Sequence, residues 1–164
     1  MILFAAMKGD KRVIEILNDV LTAELTAINQ YFVHGEMCEN WGYHHLHHAI
    51  RQHSIGEMKH AEELIERVLF LEGIPNVQRL GKINIGENVP EMLKLDLGLE
   101  LEALPRLNKG IETCREVGDN NSRQLLEEIL HEEEEHVDWL EAQLALIEQV
   151  GAQNYLAQQI REDE

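Results

Sequence analysis

Only two cysteines occur, Cys38 and Cys114, and no Cys-x-x-Cys pair. That excludes a disulfide framework and a thiolate zinc site. Free thiols suit a reducing cytoplasm, which is the expected location. The three prolines, Pro75, Pro90 and Pro105, leave room for long uninterrupted helices. Aromatics make up 5% of the 164 residues, while Leu, Ile, Glu and Ala abound. This balance favours helices over a β sandwich. Basic residues are scarce: 14 Lys and Arg against 31 Asp and Glu give a net charge of −17. Such a surface repels nucleic acid and anionic membrane and attracts cations. No apolar run approaches transmembrane length. The apolar stretch 1–7 is too short for a signal h-region, and no basic residue precedes it. The length fits one domain over 1–164.

What is present is helical periodicity. Asp10 is a suitable N-cap for a first helix. Its stripe runs Ile14, Leu17, Leu21, Glu24, Ile28 and Tyr31, ending near 40–42. A second helix carries Ile50, Glu57, Ala61, Leu64, Val68 and Leu71. Gly73, Pro75, Asn76, Gly81, Gly86, Asn88 and Pro90 then break the pattern over about sixteen residues. Pro90 suits the first position of a third helix, with Leu93, Leu97, Glu100, Leu104, Leu107 and Ile111. Pro105 falls inside it as a potential kink. Gly118-Asp119-Asn120 makes a short turn. The fourth helix carries Leu126, Ile129, Glu133, His136, Leu140 and Leu144, with Gly151 as C-cap. A short fifth helix is expected over 153–160. Two hairpins of long helices joined by one long crossover describe an all-α, ferritin-like four-helix bundle with a short C-terminal fifth helix.

Each of the four stripes contains a glutamate where a leucine is expected: Glu24, Glu57, Glu100 and Glu133. Burying an unpaired carboxylate costs several kcal/mol even after relaxation. Four facing one core require cations, and two ferrous ions balance them. Glu57-Met58-Lys59-His60 and Glu133-Glu134-Glu135-His136 are both Glu-x-x-His, which places Glu and His on one helix face. The interval from Glu24 to Glu57 equals that from Glu100 to Glu133, at 33 residues. Adding 76 maps Glu24, Glu57 and His60 onto Glu100, Glu133 and His136. This is the ligand arrangement of di-iron and di-manganese carboxylate bundles, and mixed carboxylate and imidazole donors suit Fe or Mn.

Motif counting alone proves little. With 25 Glu and 9 His in 164 residues, chance gives roughly 1.4 pairs at any fixed spacing. A third pair does occur, Glu128 with His131. Helical phase separates it from the others. His131 shares a polar stripe with Glu127, Glu135 and Asp138, whereas Glu133 and His136 share theirs with Leu126, Ile129 and Leu140.

At these residues the chain resembles the bacterioferritins. Matching stretches are Met7-Lys-Gly-Asp10, Glu24-Leu-Thr-Ala-Ile-Asn-Gln-Tyr-Phe32, Glu57-Met-Lys-His-Ala-Glu62, Leu69-Phe-Leu-Glu-Gly73, Ile85-Gly-Glu-Asn88 and Glu133-Glu-Glu-His-Val-Asp-Trp-Leu-Glu141. The resemblance implies iron storage and detoxification in a homo-oligomeric shell of twenty-four subunits built from dimers. It implies a ferroxidase centre that oxidises Fe(II) with O2 or H2O2. Glu24, His60, Glu100 and His136 would be terminal ligands, and Glu57 and Glu133 would bridge. It also implies haem b between two subunits, with Met58 as axial ligand, and a ferredoxin-type reductant for iron release. Met58 lies one residue, about 100°, past Glu57 and so faces away from the centre. Tyr31, Trp41 and Trp139 match family positions near the centre and are candidate electron donors or packing residues.

The chain also departs from the family. Residues 1–6 precede the usual start and read as an N-terminal extension or a misassigned start. Gln52 and Gly56 stand where some members carry a His and an Asp of an inner-surface iron site, and His53 beside them is expected to point elsewhere. His44, His45, His47 and His48 read as a solvated His-rich turn. The rival functions are a rubrerythrin-like or catalase-like di-metal oxidoreductase and a haem electron-transfer protein. The absence of Cys-x-x-Cys argues against the rubrerythrin-like enzyme, the bacterioferritin resemblance against the catalase-like one, and the intact six-residue ligand set against the electron-transfer protein.

Overall fold

A computed structural model describes residues 8–162. The expected extension at 1–6 lies outside the described residues. The helices are α1 (Lys11–Asn40), α2 (His44–Phe70), α3 (Val89–Val117), α4 (Asn120–Val150) and α5 (Ala152–Gln158). There is no strand among the described residues.

Local chemistry sets the helix ends. Asp10 caps α1, its Oδ1 accepting from the Arg12 N–H at 2.8 Å. Asn88 caps α3 by accepting from the Glu91 N–H at 3.0 Å. Val89 therefore takes the first helical position, and Pro90 the second, where its missing N–H is equally harmless. Gly118 stops α3 in the left-handed region, at φ +76°. Asp119 then starts α4 by accepting from the Ser122 N–H at 3.0 Å. Gly151, with φ +83°, ends α4, and α5 follows at once, so it spans 152–158 and not 153–160.

Helices α1 and α2 form one hairpin and α3 and α4 the other; α1–α3 and α2–α4 contacts close the bundle. The apolar stripes pack into two layers. One joins Val13, Leu17, Leu21, Leu64, Val68, Leu107, Leu126 and Ile129. The other joins Ala27, Tyr31, Leu46, Ile50, Met92, Leu93 and Leu140. Each fully buried leucine contributes about 1.5–3 kcal/mol by leaving water. The four stripe-breaking glutamates sit between the layers, at the level where each helix passes from one to the other. Both cysteines are buried free thiols.

The stretch 44–48 is not a turn but the first turn of α2. Leu46 and Ile50 lie one helical turn apart and are both buried, which draws this segment into the helix. His47 Nδ1 donates to the Gly35 carbonyl at 2.9 Å, and His44 Nδ1 pairs with Glu39 at 3.0 Å. The true turn is confined to 41–43.

One face of α1 carries a polar residue every four positions, and these residues hold the crossover. Asn18 accepts from the Asn76 N–H, Thr22 from the Arg79 guanidinium, Thr26 from the Gly81 N–H, Gln30 from the Asn84 N–H, and His34 Nε2 from the Gly86 N–H. The lengths are compatible: sixteen helical residues rise about 24 Å, and ten crossover residues reach at most about 36 Å. Because His34 Nε2 accepts, its proton is on Nδ1, which donates to Asp96 at 2.8 Å. Gln30 donates to the same Asp96 oxygen at 2.8 Å. The buried Asp96 of α3 thus ties α1, α3 and the crossover together.

Candidate metal centre

The bundle brings Glu24, Glu57, His60, Glu100, Glu133 and His136 to one level of its interior. The four glutamates are 2–4% exposed, His60 5% and His136 8%. Their donor atoms form two groups, Glu24, Glu57, His60 and Glu133, and Glu57, Glu100, Glu133 and His136. Within each group all atoms lie within 4.8 Å of one another. Glu57 faces both histidines: its Oε2 lies 3.3 Å from His60 Nδ1, and its Oε1 lies 3.8 Å from His136 Nδ1.

The protein's own hydrogens do not satisfy this donor set. His60 Nδ1 lies 3.2 Å from Glu133 Oε1, 3.3 Å from Glu57 Oε2 and 3.5 Å from Glu24 Oε2. One nitrogen carries at most one proton and cannot serve three carboxylates. Glu24 Oε2 and Glu133 Oε1 are buried without a hydrogen-bond partner. A cation in each group supplies what is missing, and the oxygen-rich set with one imidazole fits a divalent first-row metal.

The proton affinities show the same conflict. Burial, with the Glu100 hydrogen bond behind it, pushes the Glu133 carboxyl up to about 10. Burial also raises Glu57 well above the carboxylate range, with Glu24 adding to the effect, and it raises Glu24. Burial raises Glu100 too, but hydrogen bonds to Glu133 and His136 outweigh it and hold Glu100 near 2. His60 is opposed by burial, yet the carboxylates of Glu133, Glu24 and Glu57 crowded around its Nδ1 raise it far above the usual imidazole range. The metal-free site therefore keeps its charge down by holding protons.

Neighbouring groups orient these side chains. His60 Nε2 lies 2.9 Å from Glu132 Oε2, a carboxylate–histidine pairing that fixes which ring nitrogen faces the centre. Sequence reasoning missed Glu132. The signal was the need of His60 for a second acceptor, but the acidic run 132–135 offers four. His136 Nδ1 lies 2.9 Å from Glu100 Oε1, and the Tyr31 hydroxyl donates to the same oxygen. The Tyr31 ring meets His136 edge-on at 5.3 Å, and burial drives its hydroxyl well above the usual range.

Two expectations are corrected here. His53 does not point elsewhere: its ring centroid lies 3.7 Å from that of His136 and 4.7 Å from that of Trp139. Burial, reinforced by His136, pushes its imidazole down to about 3, so the ring is neutral. Trp41 is not near the centre. It sits at the C-cap of α1, seventeen residues or about 25 Å of helix beyond Glu24, and its ring packs on Tyr43. Trp139 does border the centre. His131 is exposed and pairs with Glu135 at 3.4 Å, as its polar stripe predicts.

Two cavities reach the centre from different sides. A cavity of about 230 Å³ lies beneath the crossover and between α1 and α3, where Gly81, Lys82 and Asn84 face Glu24 and Glu100. A wider cavity of about 570 Å³ lies between α2 and α4, and Gln52, His53, Gly56 and Trp139 line it. Glu57 and Glu133 border both.

The ferritin-like domain model matches residues 14–150. The chain is 49% identical to the bacterioferritin of Mycobacterium leprae over 152 residues, which is 93% of this chain and 96% of that protein. It is 49% identical to the Streptomyces coelicolor bacterioferritin over 151 residues, 92% of this chain and 90% of that protein. The chain belongs to the bacterioferritin family. The Brucella melitensis bacterioferritin is likewise 45% identical, across 91% of this chain and 92% of its own length. No helix among the described residues is long and apolar enough to cross a membrane. At the position that bacterioferritin resemblance assigns to haem, Met58 is 43% exposed, about 100° around α2 from the buried Glu57.

Proposed function

We propose that this bacterioferritin-family chain takes up Fe(II), oxidises it at the centre between its helices, and stores the ferric product inside a homo-oligomeric shell. The observation that carries the reading is the pair of buried, cation-deficient groups sharing Glu57 and Glu133. Glu24 and His60 would hold one iron, Glu100 and His136 the other, and Glu57 and Glu133 both. Bound iron supplies one-electron redox chemistry, with O2 or H2O2 as electron acceptor. The chain's own residues do the rest. The glutamates hold the cations in a water-poor layer, Glu132 aligns His60, and Tyr31 fixes the Glu100 carboxylate through its hydroxyl.

The acidic surface favours the approach of cations. Assembly is supported by apolar side chains left in water where α2 ends and the crossover begins: Leu69, Phe70, Ile74 and Val77 are each at least 54% exposed, a run suited to burial against another copy. An exposed thioether suits a haem held between two copies through Met58 of each.

The test is aerobic Fe(II), added in large excess over two per subunit, followed by size-exclusion chromatography with protein, iron and haem absorbance recorded together. Iron should elute with a large assembly. Glu133→Ala should slow Fe(II) oxidation by at least ~100-fold, since both metal groups lose a donor. Iron that stops near two per subunit on a small species would replace storage with a di-iron oxidoreductase.

A further inference from the structure

The proposal concerns His53, and it rests on the di-metal reading above. Three rings run along the wall of the wider cavity in the order Trp139, His53 and His136, with His53 edge-on to Trp139 at 77° and tilted by 46° to His136. Of the six grouped side chains, His136 is the one whose ring packs on His53. Its Nδ1 is aimed at Glu100, at 2.9 Å, and one ring edge is met by Tyr31. Its remaining open side faces the cavity of about 570 Å³, and that is the side His53 covers. Neither His53 nitrogen hydrogen-bonds a described residue. What His53 offers His136 is therefore its ring, packed at a tilt and abutted in turn by Trp139.

We propose that His53 is a positioning residue, a ring that holds His136 in the orientation the second metal group needs and keeps it from turning into the wider cavity. A side chain with empty space beside it has more than one staggered rotamer available, and only one directs Nδ1 at Glu100. Outer residues that fix a ligand's orientation commonly matter 10–100-fold for metal affinity. The effect of His53 should be confined to the group of Glu57, Glu100, Glu133 and His136. The group containing His60 is oriented separately, through Glu132.

The experiment is an anaerobic Co(II) titration of the full-length, assembled, metal-free protein, followed by visible absorption. The wild type should take up Co(II) in both groups. His53→Ala should keep the first equivalent and weaken the second by about 10–100-fold. It should also alter the absorption band of that second equivalent alone. His53→Phe, which keeps a ring, should return the second equivalent to wild-type affinity. If His53→Ala fails to assemble, His53→Leu replaces it, with the same weakening expected. The proposal is overturned if the ring-free variant binds both equivalents as the wild type does. It is also overturned if His53→Phe is as weak as the ring-free variant, which would mean that His53 acts through a nitrogen. Failure of the di-metal reading looks different: the wild type itself would take fewer than two Co(II), or uptake would survive Glu133→Ala.

Discussion

Loading the centre with a divalent cation should expel protons, and their number follows from the groups already described. At pH 7 the metal-free site holds one proton on Glu133, whose carboxyl is pushed up to about 10, and one on His60, raised far above its usual range. Glu100, held near 2, carries none. Both Glu133 and His60 must lose their protons to act as ligands. At least these two protons should leave per subunit, and the product of the two binding constants should rise about 100-fold per pH unit, tenfold for each proton. Calorimetry with Zn(II) between pH 6 and 8, in two buffers of different ionisation enthalpy, counts the protons directly. Release of fewer than one per subunit would refute the reasoning, because the carboxylates would then be balanced by something other than protons. A companion trend has a fixed sign. Glu133 and His60 both bind their protons more tightly in the folded chain than in the unfolded one, so folding gains from them at low pH and loses as pH rises. For Glu133 that gain is complete below its ordinary 4.5 and is gone by about 10. The metal-free protein should melt at a lower temperature at pH 9 than at pH 7, while Zn(II) should stabilise it more at the higher pH.

Leu107→Ala removes a fully buried side chain from the layer nearer the α3–α4 turn; it should cost about 2–5 kcal/mol in denaturant unfolding of the metal-free protein. Asp96→Ala strands the Gln30 amide and the His34 Nδ1–H. A loss of about 1–3 kcal/mol for each is expected, with hydrogen exchange rising first at Asn84 and Gly86; unchanged protection there would show that Asp96 does not hold this part of the crossover. Gly118→Ala meets no atom within 4 Å, so its cost of about 1 kcal/mol should come from backbone strain alone and should leave metal uptake untouched.

The helices and the six clustered side chains were legible because both are periodic. A glutamate in a leucine stripe announces its burial, and a repeated 33-residue interval announces two equivalent hairpins. What lay outside that periodicity was not legible. The acceptor for His60 could be any of four acidic neighbours, and only packing selects Glu132. The polar spacing of Asn18, Thr22, Thr26, Gln30 and His34 is visible in the chain, but its partners lie in a segment with no period, so nothing pairs the two until the fold does. His53 lies four positions before Glu57, about 40° away around the helix, so helical phase does put it on the ligand face; only the fold shows which α4 ring it meets. The histidines at 44–48 look like a loop by composition, yet the buried Leu46 among them decides for helix.

Glu57 and Glu133 belong to both metal groups, while Glu24, His60, Glu100 and His136 each belong to one. Random substitution therefore has unequal consequences across the six. A change at any of the four unshared positions leaves one group with its full set of side chains, and a gene carrying it still encodes a one-site protein that selection can retain or repair. A change at Glu57 or Glu133 takes a donor from both groups at once and leaves no half-working form to return from. The two glutamates at the midline of the bundle should accordingly be the slowest of the six to drift.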